Sequence, residues 1–433
     1  MAEETPMRQF GPWTGSMLII ASMIGTGVFT TTGFMIADIE SLPAVLICWF
    51  VGGVLALAGA LSYAELAAAM PENGGEFLYL SRIYHPAVGF VAGSTSLVVG
   101  FAAPVAASAI AFSYYLGAIF PAAPKQTIAI LLIMALSALH AFRVSIGSEL
   151  QNALTVGKVL LIVAFIAAGL WAGDPGRIFS GGSGNVSEAV LSPLFAAGLI
   201  FVSFAYSGWN ACIYISGEIK QPERNIPISL FLGTAVVTLL YLGLNIVFLS
   251  AAPAEQLAGV AEVGHVAAVG LFGDRAARFF SAIIAIGLIS TIGAYIMTGP
   301  RVYEAMGRAY PRLHLFTGRE KDRGPVAAII LQAVVAIAMV STASLRALLT
   351  YVGLSLSVFV ALAVAGVIIL RLREPDLARP YRVWGYPVTP IVFVLLVCWM
   401  IVNTIFERSV EALAGLLTLV TGLILYLALG RTV

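Results

Sequence analysis

Over 433 residues the chain is 60% hydrophobic and 10% charged, with a net charge of +1 and a mean hydropathy of +0.97. This excludes a water-soluble domain of this length, and a net charge so near zero gives no sign of nucleic-acid binding. What remains is an all-α polytopic protein of the lipid bilayer: a bilayer core of about 30 Å needs about 20 apolar residues per helix, and such runs recur from end to end.

In chain order, apolar length and breaks at Gly, Pro and charge predict spans near 13–37, 43–69, 86–119, 125–142 and 149–172. A second set of five follows near 193–216, 226–250, 274–301, 325–341 and 344–371, and two more lie near 387–405 and 410–430. About twelve spans result. No loop is long enough for a separate domain, so residues 1–433 read as one integral unit. The opening MAEETPMRQFGPW has no basic n-region or cleavage site, and no signal peptide is expected.

With the N-terminus placed inside, sixteen of the 23 Lys and Arg fall on cytoplasmic segments and six outside. That asymmetry predicts cytoplasmic termini and an even number of spans. The remaining basic residue is Lys158, inside the fifth span.

Cys48, Cys212 and Cys398 lie in apolar runs and read as small buried hydrophobes, with no metal or disulfide spacing. The four histidines are scattered, and no HExxH or carboxylate cluster is present, so no metal site, cofactor or catalytic residue is expected.

Two spans are interrupted. MLIIASMIGTGVFTTTGF in the first and GLIFVSFAYSGWNACIYI in the sixth each begin a block of five. Non-helical backbone at membrane depth is tolerated only where protein buries it or a wet cavity receives it. A half-helix starting at such a break aims free N–H groups and a positive dipole end at a carboxylate, and one ending there offers carbonyls to an ammonium. Both together match an amino acid, and corresponding breaks in two halves point to an inverted-repeat transporter. Taken alone, Gly25-Thr26-Gly27 also fits a helix-packing face of small residues. A channel would show charge rings or a repeated filter, and an intramembrane enzyme a general base or metal; neither is visible.

IGTGVF at 24–29, LSYAELAAAMPENGGEFLYL at 61–80, TVGK at 155–158, and FAYSGWN followed by GEIKQPERNIP resemble the amino acid-polyamine-organocation superfamily. Within it the chain resembles the L-type amino acid transporter family with its bacterial serine/threonine exchanger relatives. The resemblance implies a five-plus-five inverted repeat, about 13–172 and 193–371, with two extra helices over 387–430. Spans 1, 2, 6 and 7 would rock against spans 3, 4, 8 and 9. Ile24, Gly25, Thr26 and Gly27 would then line one side of the substrate's amine and carboxylate, and Phe204, Ala205, Tyr206, Ser207 and Gly208 the other, with Phe204 as a gating aromatic. Family members often carry Ser in place of Thr26, and Gly or Asp in place of Ser207, so side-chain preference does not carry over directly. Animal members that pair with a single-span glycoprotein use a cysteine between spans 3 and 4; the loop FPAAPKQ has none, and no disulfide-linked partner subunit is expected.

The implied cavity walls show no acidic residue near mid-span, so cationic substrates would lack a counter-charge and neutral L-amino acids are favoured. Glu65 reads as an ion pair at the inner mouth. PENGGEFLYLSRIY reads as a short interfacial helix, either an inner gate or a surface anchor. Lys158 lies nine residues from Glu149 and thirteen from Trp171, near mid-membrane, where a charge costs about 2.5–3.5 kcal/mol and must face protein. The resemblance places it against spans 1 and 8, where sodium-coupled relatives bind their ion, within reach of the Gly25–Gly27 carbonyls and hydroxyls such as Ser290. The expectation is sodium-independent exchange at the cell membrane, with proton symport through Lys158 as the alternative.

Overall fold

The computed structural model describes residues 8, 10–72, 74–142, 148–180, 185–316 and 326–429. Arg143, Arg319, Lys321, Arg323 and Arg431, counted above among the cytoplasmic basic residues, lie outside them. Among the described residues the architecture is helical, with one isolated bridge between Phe10 and Ile219. Nine helices among the described residues are long and apolar enough to cross a membrane, and a tenth candidate is the bent pair Pro12–Met23 and Thr26–Ile39. Shorter apolar helices, Lys125–Ala141 and Val326–Thr342, stand where the fourth and ninth spans are predicted. The chain is a multi-pass membrane protein.

Span 1 breaks where Ile24 turns extended (ψ 91°) and Gly25 leaves helical space (φ −142°, ψ −147°), bending its halves by 42°. Span 6 runs as Pro193–Tyr206, then unwinds through Ser207 (ψ 145°) and Gly208 (φ 99°) into a 3-10 segment, Ala211–Glu218. Gly208 is needed twice over: its φ is left-handed, and a Cβ would stand 2.8 Å from the backbone of Ser22 in span 1. The two breaks therefore touch. A Cβ on Gly27 would lie 2.4 Å from the Cα of Ala205.

Span 3, Pro86–Ile119, contains a π-helical stretch over Ser96–Ala102. Pro104 follows it, and lacking an N–H it cannot bond the carbonyl of Gly100, so the ladder shifts to wider bonding. Span 8 runs to Ala309, beyond the predicted 301, with Pro300 inside it. Span 5 is Ser148–Ala172, span 7 Pro222–Ala251, span 10 Leu345–Arg373, span 11 Val388–Glu407 and span 12 Ser409–Leu429. Spans 11 and 12 leave apolar faces outward, as at Leu395, Phe406 and Leu417. Cys398 is on such a face and is exposed, not buried as expected; Cys48 and Cys212 are buried.

Polar contacts hold both ends. On one side the loop Ala252–Glu262 covers span 1: Gly259 N–H donates to Gly33 O (2.7 Å), and Tyr115 donates to Phe29 O (2.6 Å) while accepting from Gly264 N–H (3.2 Å). On the other, Phe10 N–H donates to Glu218 O (3.1 Å) and Lys220 N–H to Phe10 O (2.9 Å), clipping the start of span 1 to the end of span 6.

Candidate functional site

The breaks enclose a cavity of about 220 Å³ lined by Met23, Gly25, Thr26, Gly27, Ser108, Phe204, Ala205, Ser207 and Tyr295. Its seat is backbone. Thr26 opens the second half of span 1, so its N–H and those of the next residues lack helical acceptors and carry the positive dipole end. The first half of span 6 ends at Tyr206 and leaves carbonyls on the other side. Thr30 and Thr31 hydroxyls return to the carbonyls of Thr26 and Gly27 (both 2.9 Å), and Thr26 shares a 2.6 Å hydrogen bond with Ser108 of span 3.

Of the nine residues assigned to the substrate from sequence, six line this cavity: Gly25, Thr26, Gly27, Phe204, Ala205 and Ser207. The others point elsewhere. Ile24 faces a neighbouring cavity, Gly208 packs on Ser22, and Tyr206 stacks between Trp49 and Tyr241, its hydroxyl 3.4 Å from Trp49 O. Four contributors were not assigned from the sequence, the first being Met23 at the end of the first half of span 1. Ser108 and Tyr295 close the cavity from spans 3 and 8. Tyr241 of span 7 stands behind it with its hydroxyl 2.5 Å from Met23 O and 3.2 Å from Ala205 O, bridging the two broken ends.

The neighbouring cavity, about 330 Å³, lies between spans 1, 5 and 8, and Lys158 is its one charged residue among Ile24, Phe29, Ile162, Ile283 and Leu288. Lys158 Nζ is 3.3 Å from Thr291 Oγ1, the hydroxyl next in sequence to Ser290. Thr291 also faces span 1: a Cβ on Gly25 would lie 3.2 Å from its methyl. Gly25 backbone lines both cavities, and one residue thus separates the ammonium from the candidate substrate.

At the Phe10 end, Glu65 of span 2 takes both guanidinium N–H groups of Arg371 (2.7 and 2.6 Å) and the N–H of Val383 (2.7 Å), so it is an ion pair as expected. The predicted interfacial helix, Gly75–Ile83, is packed into the bundle through Tyr79, Leu80 and Ile83, which argues against a surface anchor. Its Glu76 accepts from Tyr63 of span 2 (2.7 Å) and from Asn210 beyond the span 6 break (3.0 Å). Burial pushes the Glu76 carboxyl up, against the pull of these two donors. Among the described residues no group of His, Cys, Asp and Glu could hold a metal.

The family described as amino acid permease matches residues 10–429. The chain belongs to the amino acid permease family. It is a membrane transporter for amino acids and not an enzyme. Similar proteins include the b(0,+)-type amino acid transporter 1 of Mus musculus, 29% identical over 97% of this chain and 87% of the relative. Large neutral amino acids transporter small subunit 2 of Mus musculus is 28% identical over 97% and 80%. The serine/threonine exchanger SteT of Bacillus subtilis (strain 168) is 27% identical over 94% of each chain.

Proposed function

We propose that this amino acid permease is a sodium-independent exchanger of neutral L-amino acids, working by alternating access in the cell membrane with both termini cytoplasmic. The observation that carries this reading is the convergence of two broken helices on one small cavity. That cavity has N–H groups at one side, carbonyls at the other and no acidic lining residue. A zwitterion satisfies both ends; an extra positive charge would be buried unpaired. The names of the relatives, which include neutral amino acid and serine/threonine carriers, support it.

Sodium independence rests on Lys158. Its ammonium reaches span 8 through Thr291, whose methyl faces Gly25, and shares a cavity with Gly25, so a resident cation supports the span 1 break. Proton symport through Lys158 is the second reading, favoured by one observation: no residue lining its cavity is acidic. The two halves 13–172 and 193–371 serve as the repeats that exchange access. Phe204, buried against the cavity, serves as the gate. The name "small subunit" belongs to a relative; here the loop from Phe120 to Gln126 has no cysteine, and the chain acts without a disulfide-linked partner.

The test is uptake of a labelled panel of neutral, cationic and anionic amino acids into proteoliposomes, loaded or empty, in sodium-free buffer. Saturable uptake of neutral members that depends on internal amino acid is expected. Flux linear in concentration, or uptake confined to arginine and lysine, would sink the reading.

A further inference from the structure

Span 8 is weakened as it leaves the cavity. Pro300 has no N–H, so the carbonyl of Ile296 loses its helical donor. Gly299, just before it, packs tightly: a Cβ there would stand 2.8 Å from Gln332 Oε1 of span 9 and 3.0 Å from Phe101 of span 3. Phe101 belongs to the π-helical stretch, a feature concentrated at functional places in α-helices.

Span 9 sends a single amide into this spot. Gln332 is 1% exposed, and its Nε2 donates to the backbone carbonyl of Tyr295 at 3.1 Å. Its Oε1 finds no donor among the described residues. A buried amide satisfied at one end is less stable in an apolar bundle than a hydrocarbon side chain of the same length. Its benefit therefore lies in what it holds. That is Tyr295, which lines the cavity and whose side chain hydrogen-bonds Ser207 in the unwound step of span 6.

We propose that Gln332 is a positioning residue: through the carbonyl of Tyr295 it fixes the wall that limits side-chain size, and the site accordingly selects amino acids with small uncharged side chains. Tyr295 shares the lining of this small cavity with Ser108, Phe204 and Ser207, so a displacement of this wall changes a large share of the space. The inference rests on the cavity being an amino acid site.

The experiment measures KM and maximal rate of serine and leucine exchange in proteoliposomes for wild type, Gln332→Met, Tyr295→Ala and the double variant. Wild type is expected to favour serine. Gln332→Met should reduce that preference about tenfold, the scale of one misplaced methylene in a pocket, through KM, with the maximal rate for serine nearly kept. In the Tyr295→Ala background the same change should move the preference by less than about twofold, since two residues that act through one wall are not additive. An unchanged preference in Gln332→Met, an equal factor in both backgrounds, or a wild type that favours leucine would overturn the inference. Where Gln332→Met is not monodisperse, Gln332→Asn keeps the donor on a shorter stem and must shift the preference in the same direction; no shift overturns the proposal. Wild type that exchanges no amino acid overturns the proposed function itself, whereas normal wild-type exchange with an unmoved preference overturns only the role of Gln332.

Discussion

Ser207 stands in the unwound step of span 6, lining the cavity while its neighbour Gly208 is locked against Ser22. A leucine at 207 intrudes into the space left for the substrate side chain and spares the backbone seat. Ser207→Leu should therefore raise KM most for the bulkiest substrates, by about 1–3 kcal/mol in binding. Equal loss across glycine, alanine, leucine and phenylalanine in exchange assays would make Ser207 structural. Thr26→Val keeps shape and removes one 2.6 Å bond to Ser108; such bonds between membrane helices are worth about 0.6 kcal/mol on average, so a KM change of only a few-fold is expected. Gly25 works differently from what its place in the motif suggests. Its missing Cβ faces Thr291, the partner of Lys158. Gly25→Val should disturb the ammonium brace first, read as lost exchange in a protein that still elutes as a single species. The glycines and the Tyr206-Ser207-Gly208 step are legible in sequence because they break an otherwise helical run. Ser108, Tyr241, Tyr295 and Gln332 are not legible: each is a polar group among others scattered along a largely apolar span, and such a helix does not declare which face meets the cavity.

At the scale of elements, two contacts near the Phe10 end connect span 2 and the span 6 break to their surroundings. Glu65 is 2% exposed and bonded by Arg371 and Val383. Removing one partner of a buried pair costs about 3–5 kcal/mol, so Glu65→Gln should lower the thermal midpoint in detergent clearly, while Glu374→Gln, from the half-exposed pair with Arg82, should change it little. Loss of the Glu65 partner without any thermal shift would contradict the pair's weight. The Glu76 contact carries a pH dependence. Tyr63, Tyr79 and Tyr214 surround its carboxyl, and no basic side chain pairs with it among the described residues. Burial raises its pKa while the helix is docked, so the docked state is favoured at acid pH and its advantage is lost as pH rises through that raised value. Acidifying the cytoplasmic side should slow exchange in wild type. Glu76→Gln, held neutral, should flatten that dependence between pH 5 and 8 in proteoliposomes of set internal pH; an unchanged profile would remove Glu76 from the gate. PENGGEFLYL suggested a gate or an anchor equally, since alternating aromatics fit both, and the burial of Tyr79, Leu80 and Ile83 together with the contact of Glu76 with Asn210 separates them.

For the whole molecule, composition and the recurrence of apolar runs are enough for a helical, multi-pass chain, because the bilayer admits few other solutions. The order of spans is legible for the same reason. How they pack is not: contacts such as Gly27 on Ala205, or Lys158 on Thr291, join residues far apart in the chain and depend on backbone shape. The broken spans acquire their meaning only together, as the two walls of one cavity bridged by the Tyr241 hydroxyl, with Lys158 in the neighbouring cavity proposed as a second brace. Lys158→Gln should leave folding intact and abolish sodium-independent exchange; activity equal to wild type at every pH from 5 to 8 would reject both the brace and the proton-carrying reading. The most direct measurement is the ratio of labelled serine uptake into serine-loaded over empty proteoliposomes, in buffer free of sodium. A ratio well above one is expected, saturating with external serine and unchanged when sodium is added; uptake that needs a sodium gradient, or that ignores internal serine, would rule out sodium-independent exchange.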